Sequence, residues 1–480
     1  MKQLKTGILV SVMALSSNAA FAQGHEITRY VPETDPAALA KLDQWQDLKF
    51  GLMMHWGAYS QWGIVESWSI CAEDEGWCVR KSDSDYTRYK KKYEALQTTF
   101  NPVKFAPGRW ARAAKHAGMK YVVFTTKHHD GYCMFDSKHT DYKITGKQTP
   151  FHRHPKANIT REIFEAFRAE GMWTGAYFSK PDWHNENYWW PNFATPDRNA
   201  NYSIKNHPER WEKFVQFTHN QIMELMTDYG KVDILWLDGG WVRKRSDDEI
   251  RDAYRNMNPE KPQRVQNQDI RMDELVNKAR AKQPGLIVVD RAVPGKNQNY
   301  LTPENKVPEK ELPYPWESCI IAGESWSWIP DAKYLSARDT IHMLVDIVSK
   351  GGNLLLNIAP GPDGALDDDA YTLLSEVGDW MQVNGKGIYG TRAIAPYRDG
   401  KVCFLKKGET TRYAIYQLAE GEAAPGEIRF SGLQIPAKAT ARLLGVDGEL
   451  QWQSKDGTIR VSLPQQDPPS KLALTLEFSW

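Results

Sequence analysis

The stretch Val232-Asp233-Ile234-Leu235-Trp236-Leu237-Asp238-Gly239-Gly240-Trp241 is a short apolar run that ends on a carboxylate followed by two glycines. Near-continuous apolar residues over so few positions fit a strand buried on both faces, as in a parallel sheet. A carboxylate at the C-terminal end of a barrel strand points into the active-site pocket, and the glycines would let a substrate approach closely. Asp-Gly is also a common turn pair, so on these residues alone a structural role for Asp238 stays open.

Around this stretch, residues 47 to about 385 alternate short β-branched or aromatic runs with helical patterns, the signature of βα units around a parallel sheet. Seven strands are expected, at Lys49 to Trp56, Tyr121 to Thr126, Trp173 to Phe178, Val232 to Leu237, Gly285 to Val289, Cys319 to Ala322 and Asn353 to Ile358. Trp211, Phe214, Val215, Ile222, Leu225, Met226 and Tyr229 recur at helical spacing, and Tyr334, Leu335, Met343, Leu344, Ile347 and Val348 nearly do. A doubly wound open sheet would alternate in the same way. It would, however, carry a glycine-rich turn after its first strand, whereas here polar and aromatic residues follow nearly every strand. The expected fold is therefore α/β: a (β/α) TIM-like barrel over residues 23–388, followed by an antiparallel β-sandwich over 389–480, where short alternating runs replace the helical pattern.

Residues 1–22 read as an export signal and stand outside the fold. Lys2 and Lys5 precede an apolar stretch from Gly7 to Leu15, and Ala20-Phe21-Ala22 is a small-x-small cleavage site, which places the mature protein in the periplasm or outside the cell. The rest of the chain has no run of about 18 apolar residues, so no membrane insertion is expected. Lys and Arg total 61 against 60 Asp and Glu, which provides no net field for a nucleic-acid backbone and suits a neutral substrate. The 19 Trp stand out, since indoles stack on the C–H faces of sugars as well as filling cores. Of the five Cys, Cys71 and Cys78 are close enough for a small disulfide loop in an oxidising compartment, although spacing does not fix geometry. No C-x-x-C or comparable pairing suggests structural zinc, and nothing in the pattern asks for a cofactor.

Other strand ends carry candidate chemistry. The second expected strand runs into Lys127-His128-His129-Asp130-Gly131, and the first ends in His55-Trp56-Gly57, with Glu66-Ser67-Trp68 in the loop beyond. Imidazoles can bond sugar hydroxyls or ligate a metal; adjacent strand residues face opposite sides, so sharing one ion would need a bulge. Trp183, Trp326 and Trp328 would complete an aromatic and polar rim.

The runs Phe50 to Gly57, Lys127 to Tyr132, Leu235 to Asp238, Trp316 to Cys319 and Gly351 to Ile358 together resemble glycoside hydrolase family 29, in order and spacing over roughly residues 40 to 395. The resemblance implies a retaining, exo-acting α-L-fucosidase acting on fucosylated oligosaccharides or glycoconjugates. It implies Asp238 as nucleophile, His55, His128 and His129 as partners of fucose hydroxyls, and Tyr177 and Trp236 as parts of the pocket wall. It also implies substrate contacts from Glu66, Trp68, Arg291 and Trp326, with Ser67 interrupting the family's Glu-Trp pair. The segment Asn299 to Glu304 is similar to the one that supplies the acid/base, which makes Glu304 the candidate, with Glu309, Glu317 and Glu324 as competitors. Two other readings remain. One is a metal-dependent barrel hydrolase using His55, His128, His129 and Asp238 as ligands; the other is a carbohydrate-binding protein without turnover. The loops Asn185 to Asn199 and Asp247 to Gln268 are expected to shape the side that receives the rest of the glycan.

Overall fold

A computed structural model describes residues 30–71, 78, 80 and 85–480. The export signal lies outside the described residues, as does the 72–77 stretch that a Cys71–Cys78 loop would enclose.

Seven parallel strands form the barrel sheet: β1 Phe50–Met54, β2 Tyr121–Lys127, β3 Trp173–Ser179, β4 Ile234–Asp238, β5 Ile287–Asp290, β6 Glu317–Ile321 and β7 Asn353–Asn357. Their order is β5-β4-β3-β2-β1-β7-β6, and each coincides with an expected strand to within a few residues. Alternate side chains divide the work. Met53, Val123, Ile234, Trp236, Val289 and Leu355 fill the interior, while Leu52, Val122, Leu235, Val288 and Leu354 pack outward under the helices. The helix Pro208–Asp228 forms where the periodicity predicts it. The helix Ala337–Ser349 begins later than expected, because Ser336 caps it through Asp339 N and leaves Tyr334 and Leu335 in the approach.

Two features of the barrel are not apparent from periodicity. The helix Pro36–Leu48 closes its N-terminal mouth, with Leu42 and Trp45 entering the interior cluster and Trp45 stacking on Tyr300 at 4.0 Å. Lys41 Nζ fastens this plug to Asp233 Oδ1 at 2.7 Å, just ahead of β4. The second feature is a seam. Among the described residues β5 and β6 are not paired to each other, and an irregular segment occupies the eighth place between them. Gln298 bridges to Val289 on β5, while Leu301 and Glu304 bridge to Trp316 and Cys319 on the β6 side. Pro303, which has no N–H to give, interrupts any regular ladder there.

The second domain follows the helix Asp368–Asn384. Its strands are β8 Arg392–Asp399, β9 Val402–Lys407, β10 Thr411–Gln417, β11 Glu427–Ser431, β12 Thr440–Leu443, β13 Trp452–Lys455, β14 Thr458–Ser462 and β15 Ala473–Ser479. They make two antiparallel sheets, β12-β15-β10-β9-β8 and β11-β14-β13. Strands β8 and β13 are half-exposed edges, and β9 is buried on both faces, so none of the three shows clean alternation. On β9, Val402 and Phe404 face the smaller sheet with Ile428, Phe430 and Val461. Cys403 and Leu405 belong instead to the barrel's outer core, and Trp380 Nε1 donates to Ala473 O at 2.9 Å. The sandwich is thus packed onto the barrel through the larger sheet.

If Trp45 is the stopper of the barrel, Trp45→Ala leaves a cavity beside Tyr300 and lowers stability by about 3–5 kcal/mol. Urea unfolding measures this, and a loss below about 1 kcal/mol would contradict the plug.

Candidate active site

Asp238 is the last residue of β4, and the two glycines after it shape the protein rather than admit a ligand. Gly239 takes a left-handed conformation (φ +85°), which returns its N–H to Asp238 Oδ1 at 2.7 Å. A Cβ there would lie 2.3 Å from Pro181 Cδ, and one on Gly240 would lie 2.9 Å from Arg291 O. The expectation that they make room for substrate is corrected accordingly. Asp238 Oδ1 also accepts from Arg291 Nη1 at 3.1 Å, and Oδ2 accepts from the Tyr177 hydroxyl at 2.8 Å. Burial pushes this carboxyl up, but the Arg291 guanidinium, with the Tyr177 and Gly239 donors, outweighs it and holds Asp238 well below the usual carboxylate range.

A wall of neutral imidazoles faces this anion. The register shift after Thr125 on β2 lets both His128 and His129 reach the pocket, their ring centroids 4.3 Å apart. His129 Nε2 lies 3.8 Å from Asp238 Oδ2, and His128 stacks on Tyr177 with its Nδ1 bonded to Ser67 Oγ. His55, just past β1, contacts Asn357 Oδ1 through Nδ1 at 2.8 Å. Asn357 donates its own amide to Trp326 O, so its oxygen faces His55; the network assigns the proton to Nδ1 and leaves Nε2 as an acceptor. Burial lowers the pKa of all three, to about 4 for His55 and about 3 for His129, so they are uncharged near neutrality. Such a wall exchanges hydrogen bonds with hydroxyls without attracting a charged ligand.

Glu66 is buried 3.9 Å from His128 Nε2, and its pKa is pushed up to about 8 by burial and further by the neighbouring Asp238 and Asp130 carboxylates. It is therefore a protonated acid at pH 7 and can donate. Glu66 Oε2, His129 Nδ1 and Arg291 Nε are buried without hydrogen-bond partners among the described residues, the condition of a site that waits for a polar ligand. Trp68 stands edge-on to His129 at 5.2 Å, and Trp326 lies 5.1 Å from His55. Trp236 is buried beside Tyr177, with the Arg291 guanidinium 5.5 Å over its ring, and gives its N–H to Glu317 Oε1 at 3.3 Å.

The seam segment brings Glu304 to the pocket, where its Oε2 meets Arg291 Nη2. One guanidinium thus joins Asp238 and Glu304. The competitors are elsewhere. Glu317 is sealed inside the barrel on the Tyr121 hydroxyl and Trp236, Glu324 is an exposed loop carboxylate accepting from Lys333 N, and Glu309 is exposed.

Two expectations need correction. Trp183 is fully buried behind Trp68, stacked on Trp189, and so does not belong to the rim. Asp130 turns away from its histidines to Tyr93 and Tyr132 N. Trp328 is half-buried in the loop after β6, and its N–H donates to Asp367 Oδ1 at 3.0 Å. Sequence reasoning assigned no role to Asn357 or Arg198. Asn357 ends β7 just as Asp238 ends β4, the same positional signal. Arg198, in the loop expected to shape the outer side, lies 4.7 Å over Trp68 and 5.3 Å over Trp241.

A direct check on this electrostatic layout is the carboxyl of Glu66. In protein labelled with ¹³C at glutamate side chains, one carboxyl resonance should titrate near pH 8 and be missing from Glu66→Gln. If that resonance titrated near the usual 4.3, burial would not control the group.

Comparison with known proteins agrees with this geometry. The chain is 27% identical to rat (Rattus norvegicus) tissue alpha-L-fucosidase, covering 98% of this chain and 96% of that one. It is 27% identical to human (Homo sapiens) plasma alpha-L-fucosidase, over 92% and 90%. Among solved structures, alpha-L-fucosidase isoenzyme 1 from Paenibacillus thiaminolyticus superposes with a TM-score of 0.72 at 29% identity, covering 92% of this chain and 99% of that one. Thermotoga maritima alpha-fucosidase in complex with fucose gives 0.68 at 25% identity, covering 94% and 100%. The family model described as Alpha-L-fucosidase matches residues 17–386, and with a barrel whose strand ends carry this site, the chain belongs to the alpha-L-fucosidase family of glycoside hydrolases.

Proposed function

We propose that the protein is a retaining exo-α-L-fucosidase that releases terminal L-fucose from glycans by double displacement. The observation that carries the reading is the pair of carboxylates, Asp238 and Glu304, held by the single guanidinium of Arg291. Asp238, kept ionised by Arg291 and Tyr177, attacks the anomeric carbon and forms a glycosyl ester. Glu304 gives a proton to the departing oxygen, then takes one from the water that cleaves the ester, and the anomeric configuration is retained over two inversions. Fucose has three ring hydroxyls and a methyl group. His55, His128, His129 and protonated Glu66 supply donors and acceptors for the former, and Trp68 and Trp326 supply apolar surface for the latter. Trp236 and Glu317 close the interior beneath the site, so a sugar enters from the strand-end side.

The metal-dependent reading has one observation in its favour: ligand atoms of His128, His129 and Asp238 lie within 4.8 Å of one another. Arg291 weighs against it. A divalent cation in that position would face a guanidinium, with both Asp238 oxygens already accepting hydrogen bonds. The presence of both Asp238 and Glu304 on Arg291 argues against a binding protein without turnover. Export follows in the same reading from the leader at residues 1–22, and the mature chain would begin at Gln23.

The test is hydrolysis of 4-nitrophenyl α-L-fucoside with NMR detection of the first anomer released. The expected result is α-fucose, unchanged rates in EDTA, and a loss of about 10³-fold or more in kcat for Asp238→Ala. Release of β-fucose first, inactivation by EDTA, or full activity of Asp238→Ala would each overturn the mechanism.

A further inference from the structure

Glu304 reaches the pocket from the least regular part of the barrel, which raises the question of what aims it. The backbone on either side is clamped to β6: Cys319 N donates to Pro303 O at 3.1 Å, and Asn305 N donates to Cys319 O at 2.9 Å. This extended run stops abruptly at Asn305, which has a left-handed φ of +48°. The Asn305 side chain then accepts from Ile321 N, at the end of β6, at 3.1 Å. A continuing strand would have satisfied that N–H; the amide oxygen does so in its place. Lys306 O, next along, accepts from Ser318 Oγ at 2.7 Å. Glu304 is half-buried and turned to Arg291, whereas Asn305 is exposed on the outer side, as alternation along an extended run requires.

We propose that Asn305 is a positioning residue for Glu304: its left-handed backbone ends the seam segment, and its side chain pins that end to β6 so that the Glu304 carboxyl meets Arg291. Asn tolerates the left-handed region better than other residues with a Cβ, and its short side chain is the one that reaches Ile321 N. A carboxyl that must transfer a proton works only within hydrogen-bond reach of the departing oxygen, so a small displacement of the segment weakens proton donation. The proposal rests on the reading of Glu304 as acid/base. Asn305 itself does not touch the pocket.

Leaving-group dependence separates misplacement of the acid from general damage. A 2,4-dinitrophenyl α-L-fucoside departs without proton donation, whereas an alkyl α-L-fucoside requires it. The expected result for Asn305→Ala is a loss of about tenfold or more in kcat/KM on the alkyl fucoside and less than about threefold on the activated one. Asn305→Asp, which keeps both the oxygen and tolerance of the left-handed region, should restore most of the loss. Asn305→Gly, which keeps only the backbone freedom, should fall between and serves if the Ala variant does not fold. Equal losses on both substrates, or no loss on either, would overturn the proposal. Glu304→Gln in the same assay distinguishes the two levels. If it shows leaving-group dependence and the Asn305 variants do not, only the positioning role fails; if it shows none, the acid/base reading fails, and the Asn305 proposal with it.

Discussion

The site depends on one guanidinium. Arg291 follows β5 immediately, its backbone N–H donating to Leu237 O on β4, and its two terminal nitrogens meet carboxylates from two different parts of the barrel. Without it, Asp238 would be a buried carboxylate whose burial favours the neutral form; with it, the ionised form prevails. The same contact draws in Glu304 from a segment that has no regular hydrogen-bond ladder of its own. A buried ion pair is costly to assemble, and here the cost is met by a rigid frame of barrel strands around it.

Around this charged centre the three imidazoles and the buried Glu66 are neutral. Burial leaves His55, His128 and His129 uncharged, and burial pushes Glu66 up until it too is neutral at pH 7. The groups that recognise a polyol are thus hydrogen-bond donors and acceptors without net charge, set on strand ends. Asp238 is the carboxylate that the site keeps ionised, through Arg291 and Tyr177. The plug Pro36–Leu48 and the interior residues Trp236 and Glu317 keep water from reaching the centre from below.

The barrel strands could be read from the sequence because each is buried on both faces and reads as an apolar run. Asp238, His55 and the His128-His129 pair could be located because they stand where such runs end. The seam could not: Asn299 to Glu304 has neither strand periodicity nor helical spacing, so its place between β5 and β6 depends on pairing with Val289, Trp316 and Cys319 that only the fold brings near. Family resemblance, and not pattern, marks Glu304. Glu317 shows the converse. It stands in a conspicuous motif beside a Trp, yet it opens a strand instead of ending one, and its carboxyl is consumed by Tyr121 and Trp236 inside the barrel. Trp183 is a similar case, since an aromatic near a strand end fills the core as readily as it lines a rim.

The central claim is that Asp238 is the atom-bonding carboxylate and Glu304 its proton-transferring partner across Arg291. Its most direct test is to trap the ester with a 2-deoxy-2-fluoro-α-L-fucosyl fluoride, whose electron-withdrawing fluorine slows hydrolysis of the intermediate more than departure of fluoride, and to map the adduct by peptide mass spectrometry. The account predicts a single fluorofucosyl ester on the peptide containing Asp238, located at that residue by fragmentation. An ester on Glu304, or on any other carboxylate with Asp238 unmodified, would contradict it.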